Sequence, residues 1–181
     1  MLTRVLRLLR DSVEIGVDPV RYARRIGVTV GERCRLIGID RHTFGSEPYL
    51  ISLGDDVCVT DGVRFVTHDG SAGVFRHKYP DLEVVGRIVL HERVFVGMGA
   101  ILLPGIEIGP ESVIGAGSVV SRSVPAGTVA AGVPARPVRS IAEHEAAILR
   151  RAVFVRNSPP AERRRVHLEH TAGGQAGASI T

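Results

Sequence analysis

The sequence predicts a mainly β fold, built as a solenoid of short strands, on three observations. Branched aliphatics recur at every sixth position: Val84, Leu90, Val96, Leu102, Ile108, Ile114 and Val120. Four places after each lead stands an uncharged residue, often a small one: Ile88, Val94, Ala100, Ile106, Ser112, Ser118 and Val124. The chain of 181 residues holds 21 glycines, no tryptophan and only 4% aromatics, so its core must consist of many small, similar layers.

Six is not a helical period, and simple strand alternation demands no fixed six. Short strands joined by tight corners satisfy it. Lead aliphatics then point inward and small residues fill the inner corners. Gly97, Gly109 and Gly115, each following a lead, relax the turns. Glu92, Arg93, Glu107 and Glu111 fall on the outside. Pro104 suits a corner, because proline cannot donate in a central strand. One such unit cannot bury its apolar side alone, whereas stacked coils bury it together. Three hexads make a triangular coil of about 18 residues, with neighbouring coils about 4.8 Å apart.

The elements follow in order. Residues 1 to about 13 read as a helix with Leu2, Val5, Leu6, Leu9 and Val13 on one side. Asp18 before Pro19 signals a second helix start. Together they form an N-terminal helical cap over 1–25, since solenoid ends need covering. The first helix is also basic and amphipathic, so association with a membrane surface stands as the alternative role. The solenoid is expected over 26–139, its first coil marked by Ile26-Gly27 and Val30-Gly31 and its second by Leu53, Val59 and Phe65.

From Phe65 to Val84 the frame slips by one, and Ser71 and His77 occupy the expected inward places. Residues 67–83 therefore read as a loop thrown out from the coils, and long loops in compact domains usually carry function. Ser140 followed by Glu143 is a capping-box signature and predicts a helix over 140–156. "NSPPAERRR" and "TAGGQAGASIT" make 157–181 a tail without fixed structure.

Charge and cysteines narrow the class. The net charge of +4 sits toward the two ends, with no basic stripe interleaved with aromatics. That pattern argues against nucleic acid and for solvated ends, or an anionic small ligand. Cys34 and Cys58 form no CxxC pair and no metal-ligand spacing, so no metal and a reduced cytoplasmic compartment are expected. A bridge between the two cysteines stays open. No apolar run approaches the roughly 18 residues of a transmembrane span, and the N-terminus lacks a signal-peptide core.

"VFVGMGAILLPGIEIGPESVIGAGSVVSRSVPAGTVAAGVPARPVR" resembles the hexapeptide-repeat acyltransferases. "FGSEPYLISLGDDVCVTDGVRFVTHDG" resembles their branch of capsule and polysaccharide O-acetyltransferases, related to the galactoside and maltose acetyltransferases. The resemblance covers roughly 19–142. It implies a left-handed parallel β-helix, whereas ordinary parallel crossovers are right-handed. It also implies acetyl-CoA as donor, a saccharide acceptor, and a homotrimer with the active site between neighbouring subunits.

The resemblance makes His68, at the start of the loop, the general base. A hydroxyl is a weak nucleophile near neutral pH, and imidazole titrates there. Glu47 is a candidate to orient this ring, or else a solvent-facing corner carboxylate. Asp69 is the other acidic candidate: on a strand it would face away from His68, whereas in a turn it could pair. Arg76, His77 and Tyr79 are candidates to hydrogen-bond the acceptor, or form an exposed basic loop. His91 is expected to face outward.

Gly97-Met98-Gly99 and Gly115-Ala116-Gly117 lie one coil apart, so their glycines stack into a strip free of side chains. A pantetheine arm could lie there, with an amide stabilising the oxyanion, although corners alone also require glycine. By resemblance, Met98, Gly99 and Ala116 line the CoA channel, while Ser121, Arg122, Arg136 and Arg139 lie near its nucleotide end. Arginine suits phosphate through its forked donors.

Three competing classes share the fold. An N-acetyltransferase of an amino-sugar nucleotide would depend less on His68. Zinc carbonic anhydrases need three converging histidines, and His68, His77 and His91 include no close pair. A non-catalytic solenoid would leave the loop without purpose.

Overall fold

The structure is a computed structural model that describes residues 2–174. The chain divides into two compact units, residues up to 142 and residues from 143 on. The first holds helices α1 (Leu2–Val17) and α2 (Pro19–Ile26) and the strands.

The strands are short because each spans one side of a coil. They are β1 (Thr29–Val30), β2 (Arg35–Leu36), β3 (Ile51–Leu53), β4 (Cys58–Val59), β5 (Arg64–Phe65) and β6 (Ile88–Leu90). There follow β7 (Phe95–Val96), β8 (Ile101–Leu102), β9 (Ile106–Ile108), β10 (Val113–Ile114), β11 (Val119–Val120), β12 (Thr128–Gly132) and β13 (Ala135–Ser140). One sheet runs β1-β3-β6-β9, a second β2-β4-β7-β10-β12-β13, a third β5-β8-β11. Every pairing is parallel except β12 with β13. From β3 to β11 the chain visits the three sheets in rotation, the connectivity of a three-sided coil.

The register measures each coil. Ile88 pairs with Ile106, 18 residues on, as three hexads require. Thr29 pairs with Ser52, 23 on, and Ile51 with Ile88, 37 on. The extra residues of the first two coils follow Phe44 and Phe65, whose rings meet at a tilt with centroids 5.4 Å apart. Both excursions therefore start from the same corner of successive coils.

The inward pattern holds. Leu53, Val59, Phe65, Leu90, Val96, Leu102, Ile108, Ile114 and Val120 are all buried, as are Ile88, Val94, Ala100, Ile106, Ser112, Ser118 and Val124. The two serines are satisfied at the corners: Ser112 Oγ donates to the Pro125 carbonyl and Ser118 Oγ accepts from the Gly132 amide. Gly97 is required by close approach, because a Cβ there would lie 2.6 Å from the Ala116 nitrogen of the next coil.

Another corner carries Arg33, Asp56, Arg93 and Glu111, all with positive φ near 55°. Their charges alternate from coil to coil. Arg33 binds Asp56, and Arg93 binds Glu111 at 3.0 Å. This ladder accompanies a backbone conformation that disfavours residues with a Cβ.

Four expectations are corrected. Val84 is about half exposed and belongs to the loop stem, not to a coil; its place in the sixfold frame arises from counting backwards through the insertion. Ile26-Gly27 ends α2, with Gly27 in the left-handed region at φ 112°, so the first coil begins at β1. The helix expected over 140–156 is α3, Ile141–Leu149, and the segment Val153-Phe154-Val155 beyond it is poor in helix formers. Helix α4, Pro160–Gly174, occupies most of the stretch read as a tail. It carries Pro160 and Glu162 in its first turn and an Arg165–Glu169 pair one turn apart, but lacks an apolar stripe that would signal it. The remainder of that stretch, 175–181, lies outside the described residues.

The end of the coil is covered by α2, whose Tyr22 and Ala23 join the core. Asp18 caps this helix, accepting from the Arg21 amide at 2.9 Å. Helix α1 packs on α2 through Asp11 and Glu14, both bound by Arg25. Cys34 and Cys58 are free thiols, and Cys34 donates to the Gly54 carbonyl. No helix among the described residues is long and apolar enough to cross a membrane.

Candidate active site

The two excursions build the site. Arg64, from β5 of the second coil, reaches down to Asp40 of the first with a forked pair of bonds at 3.1 and 2.8 Å. Asp40 in turn holds the Thr43 hydroxyl and the His42 amide. After Phe44 the chain turns at Gly45, where φ is +62° and a Cβ would lie 2.8 Å from the Phe65 carbonyl. Glu47 follows two residues later. In the next coil the chain leaves β5 through Val66 and Thr67, and Thr67 is fully buried. His68 pairs antiparallel with Val85, and the Asp69 and Gly86 amides bind the Val84 and Thr67 carbonyls. These bonds close the neck of the loop.

Stacking brings Glu47 to His68. Nδ1 of His68 lies 2.9 Å from Glu47 Oε2, and the Thr67 hydroxyl donates to the same oxygen at 2.6 Å. The Thr67 hydroxyl, and after it the His68 ring, hold the Glu47 carboxyl below its ordinary range, with burial opposing them. A carboxylate acceptor at Nδ1 favours the tautomer with its proton there, which leaves Nε2 free to accept one. The ring itself is nearly half exposed.

Asp69 is not brought to the ring by a hydrogen bond. Its carboxylate accepts from the Ser71 amide at 2.9 Å and starts the helical turn Gly70–Phe75. The Ser71 hydrogen bonds hold that carboxyl below its ordinary range. Asp69 thus shapes the loop.

His68, with Asp69 and Val84, lines two cavities. One is lined by Glu47, His68, Asp69, Arg76, Glu83, Val84 and Val85 and is predominantly polar. The other is lined by Val66, His68, Asp69, Gly70, Val84, Leu103, Pro104 and Ser121 and is more apolar. Of the loop residues considered for the acceptor, Arg76 lines the first cavity, its Nε donating to the Leu82 carbonyl. His77 bonds the Val74 carbonyl, and neither it nor Tyr79 lines either cavity.

Of the expected donor residues, Ser121 lines the second cavity. Met98 and Ala116 lie one coil apart, the Gly117 amide donating to the Met98 carbonyl at 2.7 Å, but with Gly99 they precede strands β8 and β11, whereas His68 follows β5, so they lie off opposite ends of these parallel strands. Arg122, Arg136 and Arg139 are exposed. His91 faces outward, 3.6 Å from Glu107. Among the described residues no group of three or more His, Cys, Asp or Glu could hold a metal ion.

Thr67, Glu83 and Val85 escaped sequence reasoning. Thr67 carried one signal, its place two residues past an inward lead, which buries it beside the loop neck.

The family described as bacterial transferase hexapeptide (six repeats) matches residues 87–122. Protein CapG of Staphylococcus aureus is 47% identical over 133 residues, covering 74% of this chain and 77% of that protein. The galactoside O-acetyltransferase of Escherichia coli strain K12 is 31% identical over 105 residues, 55% of this chain and 48% of that protein. Among solved structures, the hexapeptide-repeat acetyltransferase VCA0836 of Vibrio cholerae superposes with a TM-score of 0.56 over 75% of this chain and 89% of that one. At 24% identity this likeness bears on the fold alone.

Proposed function

This chain belongs to the bacterial hexapeptide-repeat transferases, and on that premise we propose that it is an acetyl-CoA-dependent O-acetyltransferase acting on a saccharide hydroxyl. The reading rests on one observation above the others: His68, held at Nδ1 by Glu47, is shared by a polar cavity and a more apolar one. Two substrates approaching from opposite sides would meet at its free nitrogen. The likeness to a galactoside O-acetyltransferase supports a sugar as acceptor.

In this mechanism the acceptor lies in the cavity of Arg76 and Glu83, and the thioester enters past Val66, Leu103, Pro104 and Ser121. Nε2 of His68 takes the hydroxyl proton as the oxygen attacks the thioester carbonyl. The tetrahedral intermediate collapses with loss of the CoA thiolate, and His68 returns the proton to that sulfur. Glu47 keeps the ring oriented and stabilises the imidazolium that forms.

The hand of the coil is left, as in the family. The assembly is a trimer in which the Met98-Gly99 and Ala116-Gly117 corners of one copy lie beside His68 of the next. That arrangement accounts for donor residues that lie off the opposite ends of the strands from His68 within one chain. Arg122, Arg136 and Arg139 then serve the nucleotide phosphates. Release of free CoA thiol, measured across neutral sugars, amino sugars and amino-sugar nucleotides, tests the acceptor class. Turnover confined to amines would replace this reading with N-acetylation.

A further inference from the structure

Helix α1 presents its surfaces in an unexpected order. Leu6, Leu9, Val13 and Val17 follow one another at helical spacing along one stripe. Their exposures are 57%, 60%, 65% and 81%, and Val5 beside them is 46% exposed. The opposite side of the helix carries Asp11 and Ile15, which pack inward: Asp11 is buried on Arg25 and Ile15 packs against the core. An amphipathic helix on a soluble domain ordinarily buries its apolar stripe. Here the ion pairs of Arg25 with Asp11 and Glu14 turn the acidic side inward and the apolar stripe outward.

The charge left beside the stripe is positive. Both carboxylates of the helix are engaged by Arg25, and Arg7 lies on their side, 4.0 Å from Asp11, whereas Arg10 borders the stripe and is exposed. A second copy meeting the same stripe face to face would bring arginine against arginine. A surface that is apolar within and negatively charged at its edge complements both features.

We propose that α1 docks this enzyme on an anionic phospholipid bilayer, the stripe from Val5 to Val17 entering the interface and Arg10 meeting the headgroups. The inference does not depend on the acceptor or on the role of His68. Docking would place an acetyltransferase beside acceptors held at a membrane.

The full chain is sedimented with vesicles of mixed phosphatidylcholine and phosphatidylglycerol, and with phosphatidylcholine alone. Binding to the mixed vesicles, weakened by salt, is expected. Leu9→Glu with Val13→Glu abolishes it, and Arg10→Gln lowers the affinity about fivefold. All variants keep the melting temperature and the acetyl transfer rate on a soluble sugar. Absence of wild-type binding overturns the proposal, as does binding that survives Leu9→Glu with Val13→Glu. A wild type that ignores vesicles but loses subunits on the glutamate substitutions would assign the stripe to contact between copies instead.

Discussion

Oε2 of Glu47 accepts from the buried Thr67 hydroxyl at 2.6 Å and lies 2.9 Å from Nδ1 of His68. One carboxylate oxygen thus fixes both the neck of the loop and the ring that stands on it. The pair forms because two departures from the repeat leave the coil at the same corner, one above the other.

His68→Ala should lower the acetyl transfer rate by about 10²- to 10⁴-fold, the usual contribution of a positioned proton acceptor. The ring is nearly half exposed, so stability should change by only about 0.5 kcal/mol. A steady-state thiol-release assay beside thermal unfolding checks both. A folded variant with near wild-type turnover would remove His68 from the chemistry.

The two acidic neighbours of His68 should behave differently. Glu47→Gln removes the carboxylate at Nδ1 and should reduce kcat by about tenfold or more while leaving KM for acetyl-CoA little changed. Asp69→Asn keeps a side chain able to cap the turn and should leave kcat within a few-fold. Equal losses from both would place Asp69 at the ring.

Glu47 links the site to acid stability. Its carboxyl titrates below the ordinary range, so its stabilising bonds are fully present above the unfolded value and are lost as pH falls through the folded one. Thr67→Val removes the largest cause. The Glu47 carboxyl should then titrate closer to the ordinary range, and the acid-side loss should be smaller and complete at higher pH. At neutral pH the change should cost about 1.5–3 kcal/mol, the value of a hydrogen bond to a charged group. Carboxyl carbon NMR and unfolding across the acid range measure the two effects. An unmoved titration would show that Thr67 does not set it.

Coil spacing can be tested with one methyl group. Gly97→Ala places a Cβ 2.6 Å from the Ala116 nitrogen and should destabilise by about 1–3 kcal/mol. Gly70→Ala in the loop, where nothing lies within 4 Å, should stay within about 0.5 kcal/mol. Denaturant unfolding of the two variants compares them directly, and an equal cost would contradict the packing of the corners.

Much of this molecule was legible in its residues. The sixfold aliphatics from Leu90 to Val120 stated which side chains point inward, because a coil with three equal sides leaves each lead no other place. The break after Phe65 located the loop and His68. Val84 misled, since an aliphatic in the stem happened to match the count. Arg76 could be named for its loop, but its separation from His77 and Tyr79 depended on how that loop turns.

Sequence by itself determined the repeat, its inward face and the position of its interruption, because those follow from a local period. Tertiary structure alone decided that Glu47 meets His68, since that contact joins residues 21 apart through coils of unequal length. It also decided that the apolar stripe of α1 faces outward. Periodicity states that a helix has two sides, but only the charges it meets, here Arg25, select the side that is buried.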